Sequence, residues 1–132
     1  MQIQRIFSGT VWESKVGYCR GLRVENQIYI SGTAPIDATG GVFAPGDAYA
    51  QAKRCFEIIQ QALKDLDADL SNVVRTRMFV TDISRWVEFG KAHQEFLGEN
   101  PPATTMVEVK SLIEPTMLIE IEVDAVVSTH SN

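Results

Sequence analysis

The chain has 132 residues, of which 45% are hydrophobic, and this is enough material for the core of one ordinary domain. Its formal net charge of -5 at pH 7 argues against a nucleic-acid partner, because phosphate backbones are bound mainly by clustered Lys and Arg. The N-terminal region lacks the continuous apolar segment of a signal peptide, and no stretch is long enough to span a membrane. We therefore expect one domain over residues 1–132, located in the cytoplasm and not associated with a membrane.

Cysteine and histidine side chains are too few to form a metal site. Cys19 and Cys55 show no CxxC spacing, and in a reducing compartment we expect two free thiols. Of the two histidines, His93 falls in a predicted helix and His130 in the polar C-terminal tail. Because no cluster with zinc or iron spacing results, we predict no metal and no cofactor.

The first half of the chain predicts a hairpin, a long loop and a helix. Residues 22 to 30 place apolar and β-branched residues on both sides of Glu25 and Asn26, which is typical of two short strands around a turn. Residues 31 to 46 are rich in Gly, Pro, Thr and Asp and predict a shaped loop. Asp47 is then a suitable N-cap for a helix, whose apolar face recurs every three or four residues at Ala52, Cys55, Phe56, Ile59, Ala62, Leu63 and Leu66.

The second half predicts a strand, a second helix and two more strands. Residues 73 to 82 indicate a core strand whose inward side chains are Val74, Thr76, Met78 and Val80. A helix from about residue 84 to residue 97 would end at Gly98 and have an inner face of Trp86, Phe89, His93, Phe96 and Leu97. Of two final strands, 103 to 109 and 117 to 127, the second alternates between acidic side chains and Ile119, Ile121, Val123, Ala125 and Val127.

The predicted order ββ-α-β-α-ββ indicates an α+β fold, with a mixed sheet and two helices packed on one of its faces. The other face of such a sheet needs a cover, and this favours oligomerisation.

Several segments together are similar to one known family. They are Tyr18, NQIYISG at 26–32, VVRTRMFVTDI at 73–83, PPATTMVEV at 101–109 and IEIEVDAV at 119–126. In this order and at this spacing, the chain resembles the RidA/YjgF family over nearly its whole length.

The resemblance implies a chorismate-mutase-like fold and a homotrimer whose sheets form an inner barrel, with small-molecule clefts between subunits. Active members of the family hydrolyse reactive enamines and imines, such as 2-aminoacrylate, to 2-keto acids and ammonia. By the same resemblance, Glu120 would be the catalytic carboxylate. The substrate would be bound by Tyr18, Ser31, Gly32, Thr33, Thr104, Thr105 and Met106.

Three positions depart from the family pattern. Thr104 directly follows Pro102 and Ala103, where active members carry an Arg whose planar fork binds the substrate carboxylate. One neutral hydroxyl in place of a desolvated bidentate contact would typically cost about 2 to 4 kcal/mol of binding. Gly90 stands where active members often have an Asn, and Met106 replaces a frequent small residue such as Cys.

The singled-out residues also have purely structural interpretations. Arg20, Arg75 or Arg77 would replace the missing Arg if one reached the same cleft, but surface ion pairing is the more common role of such residues. Glu120 would otherwise belong to a solvated acidic strand face, and Tyr18 would pack at a subunit boundary. Residues 31 to 33 would only turn the chain, and Cys19 would only pack.

Two functional hypotheses of different classes follow. The first is a divergent deaminase or hydrolase acting on a small imine, enamine or related metabolite. The second is a non-catalytic trimer that binds a small molecule or regulates a partner, because the Arg of the standard reaction is missing. A third, endoribonuclease activity, is disfavoured by the acidic composition and by the lack of suitably spaced histidines.

Overall fold

A computed structural model describes residues 1–128, so His130 lies outside the described part of the chain. Six strands form one sheet in the order β1-β2-β3-β6-β4-β5, and their bounds are Ile3–Ile6 (β1), Gly21–Val24 (β2), Gln27–Thr33 (β3), Val73–Val80 (β4), Ala103–Glu108 (β5) and Ile119–Val126 (β6). Three α-helices accompany the sheet, and these are Val11–Val16 (α1), Ala48–Asp65 (α2) and Trp86–Leu97 (α3). All strand pairs are antiparallel except β4 and β5, which are parallel and joined through α3. The predicted mixed α+β fold is confirmed.

Helix α2 supplies much of the core, because its apolar residues return to the same face every three or four positions. All seven residues predicted for that face are buried. Asp47 is the N-cap, as predicted, and its carboxylate accepts a hydrogen bond from the backbone N–H of Ala50 at 3.0 Å. Helix α3 packs beside α2, with Phe56 stacked on Phe96 at a centroid distance of 5.3 Å. The two long helices therefore cover one face of the sheet.

The hairpin is confirmed, since β2 and β3 pair around Glu25, which has the positive φ of 54° that this turn requires. The predicted loop begins too early, because β3 continues to Thr33 before the chain leaves the sheet. The predicted order also omits β1 and α1. Both are short, and the only buried residue of α1 is Glu13, so neither has an apolar period that sequence analysis could detect.

Two predicted inward side chains face solvent. Val74 is 47% exposed because the register of β4 against β6 shifts between Val73 and Arg75, which turns Val73 into the core instead. Trp86 is 59% exposed, because it is only the first residue of α3, after a 3-10 turn that the prediction did not include.

Strand β6 is buried on one face only, and this orients the acidic residues. Ile119, Ile121, Val123 and Ala125 point into the core, as predicted. The alternating residues Glu120, Glu122 and Asp124 therefore lie on the face opposite the helices.

Candidate active site

Strand β3 carries a β-bulge in the middle of the sheet. Its register against β6 shifts between Ile30 and Thr33, so that Ser31 and Gly32 together lie opposite Glu122. A bulge bends a strand locally and redirects its side chains, which is why bulges are common beside active sites. Ser31 and Gly32, which were predicted to begin the loop, thus form a distortion within a strand.

Hydrogen bonds hold the bulge in place. The Ser31 hydroxyl donates to the carbonyl oxygen of Cys19 at 2.8 Å, and the Ser31 backbone N–H donates to that of Arg20 at 3.0 Å. The hydroxyl of the buried Thr33 donates to the Ser31 carbonyl at 2.8 Å. The segment that precedes β2 is therefore tied to the bulge, and Tyr18 is brought beside it.

Gly32 allows the Glu120 carboxylate to approach the backbone closely. A β-carbon at position 32 would lie 2.3 Å from Oε1 of Glu120, which no side chain tolerates without movement. Glu120 is half-buried, and its carboxylate has no hydrogen bond or ion pair with any other residue of 1–128. Burial raises the pKa of Glu120, Arg20 opposes that rise, and Glu122 adds to it.

Arg20 forms the inner wall of the site. Its side chain is buried, and Nη2 donates to the carbonyl oxygen of Gly32 at 3.0 Å. Nε lies 3.8 Å from Oε2 of Glu13 but has no hydrogen-bond partner within residues 1–128. The guanidinium carbon lies 5.7 Å from the centroid of the Tyr18 ring, within the range of a cation–π contact.

Glu13 supports the site through Arg20 and was not predicted from the sequence. Its carboxylate is buried, accepts hydrogen bonds from the backbone N–H of Ser8 at 3.0 Å and from the Ser8 hydroxyl, and forms the ion pair with Arg20. A charged residue in a six-residue amphiphilic helix is normally exposed, so nothing in the sequence indicated its burial.

These residues surround an open cavity of about 760 Å³. Its polar lining comprises Thr10, Tyr18, Arg20, Ser31, Gly32, Ser111, Glu120 and Glu122. Its apolar lining comprises Trp12, Val16, Ala34, Ile36, Leu112, Ile113 and Met117. We call this space the Glu120 cavity; its size suits a small metabolite.

The structure brings only some of the predicted site residues together. Glu120, Tyr18, Ser31 and Gly32 line the Glu120 cavity, whereas Thr33 is fully buried beside it. The predicted residues of β5, namely Thr104, Thr105 and Met106, do not line it, because β4 separates β5 from β6.

Thr104 belongs to a separate polar cluster on the helix side of the sheet. Its hydroxyl lies 2.8 Å from that of the buried Thr76 and 3.2 Å from Nε2 of His93. His93 Nε2 also lies 2.8 Å from the Thr76 hydroxyl, and burial lowers the pKa of His93. Within one chain, Thr104 and Glu120 therefore lie on opposite faces of the sheet.

Of the three alternative arginines, Arg20 alone lines the Glu120 cavity. Arg77 is bound to the outer face of β6, with Nη1 at 3.2 Å from carboxylate oxygens of both Glu122 and Asp124. Arg75 has no ion pair within residues 1–128.

The described residues include no group of three or more His, Cys, Asp or Glu side chains that could hold a metal ion. None of the helices in residues 1–128 is long and apolar enough to cross a membrane. Both cysteines are free thiols, and burial raises the pKa of Cys55 far above its ordinary value.

Comparison with known proteins places the chain in a family. The family model described as Endoribonuclease L-PSP matches residues 10–127. A crystal structure of a YjgF/YER057c/UK114 family member from Mycobacterium tuberculosis superposes with a TM-score of 0.87 at 40% identity, and the match covers 96% of this chain and 100% of that one. The chain belongs to the RidA/YjgF family.

Two curated RidA/YjgF relatives are named as deaminases. The 3-aminoacrylate deaminase RutC of Acinetobacter baylyi is 31% identical over 79% of this chain and 82% of its own length. The mouse 2-iminobutanoate/2-iminopropanoate deaminase is 27% identical over 94% of this chain and 92% of its own length. Deamination of imines and related compounds thus occurs among the relatives of this chain.

Proposed function

We propose that this RidA/YjgF chain hydrolyses a small imine or enamine, with Glu120 as the catalytic residue. One observation carries the proposal: a half-buried carboxylate without a hydrogen-bond partner in residues 1–128 faces a cavity of about 760 Å³. Structural carboxylates that are partly buried usually have partners, so a free one beside a cavity is a candidate for proton transfer. The deaminases among its relatives support the same class of reaction.

The chemistry needs one group that both accepts and donates a proton. A water molecule attacks the carbon of the protonated imine, and Glu120 accepts the proton that the water loses. Glu120 then gives that proton to the amine nitrogen of the tetrahedral carbinolamine, and the C–N bond breaks as ammonia leaves. The carbinolamine hydroxyl loses its proton to Glu120 as the carbonyl forms, and release of that proton to ammonia or solvent regenerates the carboxylate. An enamine reaches the same path after tautomerising to its imine. The raised pKa of Glu120 suits this role, because proton exchange is most effective when the pKa is near the working pH.

We further propose that the active form is a homotrimer in the cytoplasm. Strand β5 is an edge strand, and Ala103, Thr104, Thr105, Val107 and Glu108 are exposed on it. The sheet face opposite the helices also exposes Tyr29 and Val126, and the free edge and this face both need a cover. In a trimer, β5 of one subunit would bring Thr104, Thr105 and Met106 towards the cavity of its neighbour. Two free thiols are compatible with a reducing compartment.

The second candidate function is binding without catalysis. Thr104 favours it, because this hydroxyl is bonded to Thr76 and His93 and carries no charge for a substrate carboxylate. A trimer of this kind would bind a metabolite in the Glu120 cavity and signal its presence to a partner.

The test is ammonia release from 2-aminoacrylate, 2-iminobutanoate and a panel of imines without a carboxylate, each generated in situ. Glu120→Gln keeps the shape of the side chain, and we expect it to lower kcat by about 100-fold or more. The control is Asp124→Asn on the same face of β6, which lies outside the Glu120 cavity and should retain activity. Equal turnover by the wild type and Glu120→Gln would refute the catalytic proposal. Inactivity of the wild type on every imine, with specific metabolite binding, would favour the second candidate.

A further inference from the structure

The charge of the Glu120 cavity indicates what kind of ligand it accepts. Three charged residues line it, and these are Arg20, Glu120 and Glu122. Two of them already have partners of opposite charge.

Arg20 has partners within its own subunit, although its Nε makes no hydrogen bond within residues 1–128. Its positive charge is balanced by Glu13, whose carboxylate is only 4% exposed and lies 3.8 Å from Nε. Its Nη2 donates a hydrogen bond to the Gly32 carbonyl, and its guanidinium lies near the Tyr18 ring. Because its single positive charge acts on the carboxylates of both Glu13 and Glu120, Arg20 offers little net attraction to a third anion.

Glu122 is paired with Arg77 at 3.2 Å, and Arg77 is shared with Asp124. The outer face of β6 thus has three carboxylates, and two of them share one guanidinium. Glu120 is the member of this set whose carboxylate has no hydrogen bond or ion pair within residues 1–128. Its charge is directed into the cavity, where Gly32 leaves room for it.

We infer that the Glu120 cavity is selective for a small planar cation without a carboxylate, such as a protonated imine with an apolar remainder. This inference rests on the proposed function for the choice of site and names the substrate class. A cationic C–N group would pair with Glu120, while Trp12 and Leu112 offer apolar surface to the rest of the ligand. A ligand carboxylate would instead face the carboxylates of Glu120 and Glu122, and these like charges would repel it.

The test uses two ions of the same shape and opposite charge, acetamidinium and acetate. Each is titrated into the isotopically labelled protein in its native oligomeric state, and the amide signals of Ser31 and Gly32 are followed by NMR. We expect saturable shifts with acetamidinium, and at least tenfold weaker binding in Glu120→Gln. Asp124→Asn is the matched control, since it removes a carboxylate from the same strand face outside the cavity.

Acetate that binds at these amides as tightly as acetamidinium would overturn the inference and would assign Arg20 to carboxylate recognition. Failure of acetamidinium to saturate, or equal binding by Glu120→Gln, would also overturn it. The result is independent of catalysis: amidinium binding at Glu120 without any imine turnover would refute the proposed reaction and leave the ligand class standing.

Discussion

The carboxylate of Glu120 occupies the space that a side chain at Gly32 would need. A β-carbon there would lie 2.3 Å from Oε1, 3.0 Å from Cδ and 3.4 Å from Cγ of Glu120, so the whole end of the side chain rests on the glycine. The position of the proposed catalytic group is therefore set by a residue on the neighbouring strand.

Gly32→Ala tests this contact. The methyl group would push the flexible end of Glu120 aside, and we expect kcat or acetamidinium affinity to fall by at least about tenfold, because small misplacements of a reacting group are costly. Stability should change by less than about 1 kcal/mol, since the displaced atoms can move. The control is Gly90→Ala in α3, where a β-carbon meets no atom within 4 Å and should stabilise the helix by about 0.5 to 1 kcal/mol. Full activity in Gly32→Ala would show that the contact has no role.

Glu120→Gln should make the protein more stable at pH 7.5 than the wild type. Burial raises the pKa of Glu120, so the folded state favours its protonated form, and wild-type stability falls as pH rises from below the ordinary value of 4.5 through the raised pKa. The advantage of the variant should disappear near pH 4. Urea unfolding at both pH values measures it. Asp124→Asn should show no such gain at pH 7.5, because it loses an ion pair with Arg77. If Glu120→Gln and the wild type differed in stability by the same amount at both pH values, the raised pKa of Glu120 would be contradicted.

Arg20 and Glu13 should behave as one unit. Arg20→Met leaves the buried Glu13 carboxylate without its counter-charge, and we expect a loss of about 3 kcal/mol in the free energy of unfolding. The double variant Arg20→Met, Glu13→Gln removes both charges and should recover most of that loss. Denaturant unfolding of the wild type, the two single variants and the double variant gives the coupling free energy between Arg20 and Glu13. Additive effects would mean that the ion pair does not contribute.

His93 should reduce the stability of the wild type in mild acid. Burial lowers its pKa, so the folded state favours neutral imidazole, and the protein loses stability as pH falls below the ordinary value of 6.5. In His93→Gln, which can still hydrogen-bond Thr76 and Thr104, this part of the acid sensitivity should be absent. Unfolding of both proteins at pH 7.5 and pH 5.0 measures the difference. If the wild type and His93→Gln differed in stability by the same amount at pH 7.5 and pH 5.0, this would argue against a lowered pKa of His93.

Sequence periodicity predicted those parts of the fold that bury a regular apolar face. The face of α2 and the alternation of β6 follow from single-residue hydrophobicity, and both are confirmed. The burial of Glu13 and the exposure of Val74 could not be predicted in that way. The first depends on a partner, Arg20, that is distant in space until the chain folds, and the second on a register shift between strands. The placement of Thr104 on the face opposite Glu120 likewise depends on strand order.

The ligand site depends on the bulge of β3, whereas the sheet and its core do not. Two residues, Ser31 and Gly32, lie between Ile30 and Thr33 where regular pairing has room for one. Deletion of either would restore strict alternation and leave Ile30 and Thr33 directed into the same core. A single inserted codon thus distinguishes a regular antiparallel strand from one whose bulge accommodates the Glu120 carboxylate. Length variation at this point of the chain is therefore the kind of sequence change by which members of such a fold would gain or lose a ligand site while the core remains intact.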